Sequence, residues 1–185
     1  PLFCPDGQWV AFFTQAQGQL KKVPVGGGAA LVIADVRAPY GASWGADGNI
    51  LFGSSRDDGN QGIWRVSAAG GTPEPVFRVG SGQTAHQPQL LPDGRSVLYT
   101  LAEGNDWENA QIVVQTIGSE ERRVLANNGT DARYLPSGHV VWAAGTSLLA
   151  ASFDAETLSL TCDAVPVVEG VRQVQGGQTG AAQFA

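Results

Sequence analysis

The sequence predicts an all-β fold, a β-propeller of four four-stranded antiparallel blades. Three observations point there. A turn of the Pro-Asp-Gly type recurs four times at a nearly constant step. A short apolar strand ending in an aromatic residue follows each copy. The composition is rich in turn formers, with 25 glycines and 10 prolines among 185 residues. No stretch carries the apolar period of an amphipathic helix; Asp154 to Leu160 could form one helical turn at most. Recurrence of roughly 40–50 residues with four strands per period marks a propeller blade rather than a sandwich.

The turn opens each unit. Its copies are Phe3-Cys4-Pro5-Asp6-Gly7, Trp44-Gly45-Ala46-Asp47-Gly48, Leu90-Leu91-Pro92-Asp93-Gly94 and Tyr134-Leu135-Pro136-Ser137-Gly138. Their last glycines step by 41, 46 and 44 residues. Pro5, Pro92 and Pro136 preset φ. Asp6, Asp47, Asp93 and Ser137 bond the nearby backbone, and the glycines accept positive φ. The first strand follows, at 10–12, 50–52, 97–99 and 140–142. A Gly-containing turn leads to the second strand, at 20–25, 63–68, 112–117 and 148–153. The third lies at 30–33, 75–79, 123–126 and 165–168. The stretch before the next turn supplies a fourth, at 42–44, 87–90, 132–134 and 181–184. These strands form one domain over 1–185, in units of approximately 1–43, 44–89, 90–133 and 134–185.

Charge and composition exclude several classes. Eleven Lys and Arg stand against seventeen Asp and Glu, a net charge of −6, which is a poor footprint for nucleic acid. No apolar run approaches the roughly 18 residues of a membrane helix, so no direct membrane insertion is expected. Apolar residues reach 43%, enough for a core. The two cysteines, Cys4 and Cys162, read as small buried hydrophobes, with one bridge between the chain ends left open. Methionine is absent and residue 1 is proline, which reads as a fragment or a short relative of a longer protein.

The Phe-x-Pro-Asp-Gly turn with its Trp9-Val10-Ala11-Phe12 strand resembles the WD40-like (PD40) repeats of TolB-type propellers. Gly7 to Phe13, Leu20 to Val25, Gly41 to Gly45, Gly62 to Pro75, Asp131 to His139, Pro166 to Val171 and Gly180 to Phe184 are similar to the propeller region of bacterial receptor-type serine/threonine kinases. That resemblance covers nearly the whole chain. It implies a sensing or protein-binding module on the extracytoplasmic side of a bacterium. It also implies about six blades, where this chain has four units. No kinase motif is present: there is no Gly-rich loop, His-Arg-Asp or Asp-Phe-Gly.

Several motifs tempt toward chemistry. Gly41-Ala42-Ser43-Trp44-Gly45 matches a nucleophile elbow, but that elbow needs a strand before and a helix after. Ser55-Arg56-Asp57-Asp58-Gly59 starts like a sialidase Asp-box and then departs from it. Asp57-Asp58-Gly59-Asn60 offers calcium oxygens without the closing glutamate and reads as a solvated hairpin tip. Glu120-Glu121-Arg122-Arg123 reads as a solvated edge that discourages strand addition. Glu103 to Asn109 reads as the longest polar loop, and it carries Trp107 outside the repeat strands. Trp107 and Asp106, with His86 and His139 near the propeller faces, are therefore the candidate ligand-binding residues. Two isolated histidines do not make a metal site, and no cofactor or metal is expected.

The expected function is a non-catalytic binding, sensing or protein-interaction module, derived from a kinase-associated TolB-like propeller. A protein or peptide partner, or a small solute, would bind where loops converge. A homo-oligomer could complete the propeller, with Gly180 to Phe184 finishing the first blade in its own chain or in a partner. The alternatives are a propeller hydrolase or the regulatory propeller of an enzyme, and a self-assembling structural blade array.

Overall fold

The computed structural model describes residues 1–36, 39–54, 61–172 and 180–184. All regular structure in them is β, in four antiparallel sheets. Blade 1 is β1 (Leu2–Phe3), β2 (Trp9–Thr14), β3 (Gln19–Pro24) and β4 (Leu31–Asp35). Blade 2 is β5 (Pro39–Trp44), β6 (Asn49–Ser54), β7 (Gly62–Ser67) and β8 (Glu74–Arg78). Blade 3 is β9 (Gln83–Leu90), β10 (Ser96–Glu103), β11 (Asp106–Thr116) and β12 (Arg122–Asn127). Blade 4 is β13 (Thr130–Leu135), β14 (His139–Ala144), β15 (Ser147–Asp154), the short β16 (Ser159–Leu160) and β17 (Val165–Glu169). Both β16 and β17 pair with β15. Each sheet after the first begins with the strand that closes a sequence unit, so blade and unit are offset by one strand.

The recurrent turn works as its residues dictate. Gly7, Gly48, Gly94 and Gly138 all have φ between 67° and 79°. Each donates its N–H to the carbonyl three residues back. Asp6 Oδ1 accepts from Gln8 N, Asp47 Oδ1 from Asn49 N, and Asp93 Oδ1 from both Arg95 N and Ser96 N. The fourth turn uses Ser137, whose carbonyl and hydroxyl instead lie 3.0 and 3.2 Å from His139 Nδ1.

Period-2 alternation divides each inner blade between two neighbours. Ile50 and Phe52 of β6 pack with Ala11, Leu20 and Ile33 of blade 1. Leu51 between them turns to Val97, Tyr99 and Val113 of blade 3. In the same way Leu98, Ile112 and Val114 turn to Val140, Trp142 and Phe153 of blade 4. The aromatic that ends each first strand, Phe52, Tyr99 or Trp142, thus faces the preceding blade. The aromatic or leucine before each turn does the same, with Trp44, Leu90 and Tyr134 packed on blades 1, 2 and 3.

Several expectations are corrected. Asp154 to Leu160 is not a helical turn. Asp154 Oδ1 takes the N–H groups of Glu156 and Thr157, and the chain returns as β16. Glu103 to Asn109 is not a loop, because β10 and β11 continue to a tight hairpin with Glu103 opposite Asp106. Cys162 is exposed and Cys4 half-buried, both as free thiols, so neither is a buried hydrophobe. The Glu120 to Arg123 run does stand at the outer edge of blade 3, with Glu120, Glu121 and Arg123 exposed, but its arginines also reach beyond that edge. Arg122 donates to Arg78 O and Gln83 Oε1, and Arg123 to Thr157 O, so they tie blade 3 to the residues on either side. Gly180 to Phe184 does not finish the first blade within the chain. Its Ala182 and Phe184 lie on blade 4, against Val141, Ala143 and Leu148.

Candidate functional site

The inner strands β5, β9 and β13 carry the same irregularity. Gly41, Gln87 and Asp131 occupy one repeat position, and all three have positive φ, at 68°, 49° and 52°. The pairing register shifts at each of them. These are β-bulges, which bend a strand and re-aim a side chain. The re-aimed side chains reach neighbouring inner strands. Gln87 Nε2 donates to Ala42 O at 3.2 Å, and Asp131 Oδ2 accepts from Ala182 N at 2.8 Å. Gln89 bridges forward, accepting from Tyr134 N at 2.7 Å and donating to Tyr134 O at 3.1 Å.

Beside these bulges the structure brings together Trp107, His86 and Tyr40. The hairpin of β10 and β11 carries Trp107 over the inner strands of two blades. Its ring lies 5.5 Å from His86, edge to face, and 6.4 Å from Tyr40, stacked. On its far side it packs on Gly180, where a Cβ would stand 2.7 Å from the indole and 3.2 Å from Thr130 Cγ2. Trp107 is half-buried rather than exposed. Trp107 Nε1 and His86 Nδ1 are buried without a protein hydrogen-bond partner.

His86 is 1% exposed, within β9 and opposite Thr100. Burial lowers its pKa to about 4, so the ring is neutral at neutral pH. Thr100 Oγ1 in turn accepts from Asp131 N at 3.1 Å. Burial raises the Asp131 carboxyl above its ordinary value, against the Ala182 N–H and the Arg133 guanidinium 3.7 Å away. Arg133 also lies over the Phe184 ring at 4.3 Å. Tyr40, Trp107, His86, Asp131 and Arg133 thus form one connected aromatic and polar group at one end of the inner strands.

The other candidates fall outside this group. Asp106 is exposed and bonds Asn109 N and Nδ2 at the start of β11. His139 stands at the opposite end of its blade, paired with Leu135 and Ser152. Its Nε2 lies 3.4 Å from Ser152 Oγ. Ser43 sits in a strand–turn–strand, paired with Leu51. The Asp-box and calcium motifs at 55–60 lie outside the described residues. Among the described residues no three His, Cys, Asp or Glu side chains gather as a metal set, and no helix is long and apolar enough to cross a membrane. A separate cavity of about 440 Å³ opens between blades 1 and 2, lined by Asp35, Phe52, Ser54, Trp64 and Pro73. Sequence reasoning missed Tyr40, Asp131 and Arg133. Their alignment at repeat positions beside His86 was the available signal, but only the bulges show that they converge.

No family model matches the chain, and no curated protein matches it significantly. Solved structures do. TolB of Acinetobacter baumannii superposes with a TM-score of 0.68 at 18% identity, over 92% of this chain and 43% of that one. Regucalcin of Agrobacterium tumefaciens, a calcium-binding protein, gives 0.62 at 18% identity, over 90% and 57%. An oligogalacturonate lyase gives 0.60 at 12% identity, over 96% and 55%. The fold is that of a TolB-like β-propeller. The chain spans about half the length of these propellers. They include both a lyase and a calcium-binding protein, and at such identities the likeness extends to the fold alone.

Proposed function

We propose that this TolB-like propeller chain is a non-catalytic binding or sensing module, with its ligand seated at the end of the inner strands around Trp107. One observation carries this reading. Trp107 leaves the outer part of its own blade and lies between Tyr40 and His86, which belong to the inner strands of two blades. A half-buried indole with an unpaired buried N–H, beside a second aromatic ring, is the kind of anchor that binding surfaces use. The group holds no nucleophile paired with a base. The resemblance to kinase-associated propellers extends the proposal to a sensor on the extracytoplasmic side of a bacterium, recognising a protein, a peptide or a small solute.

A thermal-shift screen of peptides and small solutes tests it. A ligand that binds only the folded chain raises its melting temperature. The expected result is that such shifts vanish in Trp107→Ala, while that variant still melts cooperatively. Shifts that persist in Trp107→Ala would place the ligand elsewhere. Ester hydrolysis that disappears in Ser43→Ala would overturn the non-catalytic reading.

A further inference from the structure

Trp107 stands where successive inner strands converge. Tyr40, His86, Thr130 and Gly180 hold one repeat position, the residue before Gly41, Gln87, Asp131 and Ala181. The indole meets Tyr40, His86 and Gly180, and a Cβ on Gly180 would also meet Thr130. A bulge puts the ring there. Leu101 lies opposite Gln111 and Glu103 opposite Asp106, so residues 107–110 of β11 face only Ala102 of β10. Trp107 is therefore outside the ladder, on surplus chain that re-aims it.

Around this ring the polar balance is incomplete. Trp107 Nε1–H and Arg133 Nε–H are donors, Asp131 Oδ1 is an acceptor and His86 Nδ1 can be either. All four are buried without a protein partner. His86 and Asp131 are 1% and 2% exposed. Buried polar atoms are normally satisfied, so four orphans in one connected group mark a place for a partner that both donates and accepts. The charges narrow that partner. Asp131 and Arg133 lie 3.7 Å apart and offset each other, and burial keeps His86 neutral. An anion would face the Asp131 carboxylate, and a cation the Arg133 guanidinium. A hydroxyl donates and accepts through one atom, so it suits the whole set. Trp107 and Tyr40 supply apolar ring surface for the carbon skeleton that carries it.

We propose that the Trp107 site takes a neutral polyhydroxylated ligand, a sugar or sugar alcohol, whose hydroxyls bridge Trp107 Nε1, His86 Nδ1, Asp131 Oδ1 and Arg133 Nε. The inference rests on the binding reading above and adds the chemical class of the ligand. The four polar atoms are enclosed, so the ligand enters as the surplus residues 107–110 shift and the indole leaves its contact with Gly180.

Saturation-transfer NMR and calorimetry on the 185-residue chain test this. The panel holds neutral mono- and disaccharides, sugar alcohols, glucuronate and glucosamine as charged counterparts, and a pool of short peptides. The expected result is that a neutral sugar binds, and that its charged counterparts bind at least roughly tenfold more weakly. Trp107→Phe keeps a ring and removes the N–H. It should weaken sugar binding about tenfold. It should leave the melting temperature without ligand unchanged or higher, because the donor it removes is unpaired. An indole with only a structural role would give the reverse, a lower melting temperature and an unchanged affinity. Should Trp107→Phe fail to fold, Asp131→Asn decides. Asparagine keeps an oxygen for the Ala182 N–H and tolerates the positive φ, and the loss of charge should again weaken the sugar about tenfold. His139→Gln, at the opposite end of its blade, should leave the affinity unchanged. The absence of any bound sugar, or a sugar indifferent to both Trp107→Phe and Asp131→Asn, would overturn the proposal and assign the orphan atoms to buried water. A peptide or charged solute that binds through Trp107 while no sugar does would overturn the ligand class and leave the binding reading standing.

Discussion

His86 shows how one buried side chain ties the candidate site to stability. Its ring is enclosed by β9, β10 and Trp107, and burial lowers its pKa to about 4 from 6.5. The unfolded chain therefore binds the proton first as pH falls. Stability present above pH 6.5 is lost between 6.5 and about 4, at about 1.4 kcal/mol for each pH unit of that window. Asp131 acts in the opposite sense, because its raised pKa makes protonation in acid favour the folded chain. The expected result is a melting temperature that falls from pH 7 to pH 4, and falls less in His86→Gln. An equal fall in both would show that His86 does not carry the effect. The sequence marked His86 and Trp107 as separate candidates, one before a strand and one in a loop. Their contact was not legible, because it depends on a hairpin that extends β11 past the repeat length.

The bulge in each inner strand is the feature that element-level pattern reading could least supply. The turns were legible because proline, aspartate and glycine have local preferences. A bulge at Gly41, Gln87 and Asp131 shares no residue type, and two of its three occupants carry positive φ without being glycine. It persists because the neighbouring inner strand holds it. Gly41 is the occupant with no room to change: a Cβ there would lie 2.8 Å from the backbone of Gln87. Gly41→Ala combines that clash with an unfavourable φ, and a loss of about 2–4 kcal/mol is expected. Chemical denaturation measures it, and a loss below about 0.5 kcal/mol, the usual surface value, would show that blades 2 and 3 are not held together there. The bulge also explains why the inner strands start several residues earlier than the apolar pattern indicates, since side-chain alternation breaks at the extra residue.

Across the whole molecule burial is uneven, and this predicts uneven dynamics. β10 has seven of its eight residues buried, whereas β2 has one of six. Amide exchange should be slowest in β10 and the inner half of β11, and fastest in blade 1, through local opening of a sheet covered on one face. Uniform protection across the four blades would contradict this. The sequence by itself determined the repeat, the turns, most strands and hence the propeller, because each rests on local preference and on alternation within a few residues. Only the tertiary structure decided which residues meet at the inner strands, that Arg122 and Arg123 tie blade 3 to its surroundings, and that segment 180–184 seats on blade 4. Those outcomes depend on contacts between blades some forty residues apart in sequence. A one-residue bulge or a short tail can redirect such contacts without leaving a local signature in the sequence.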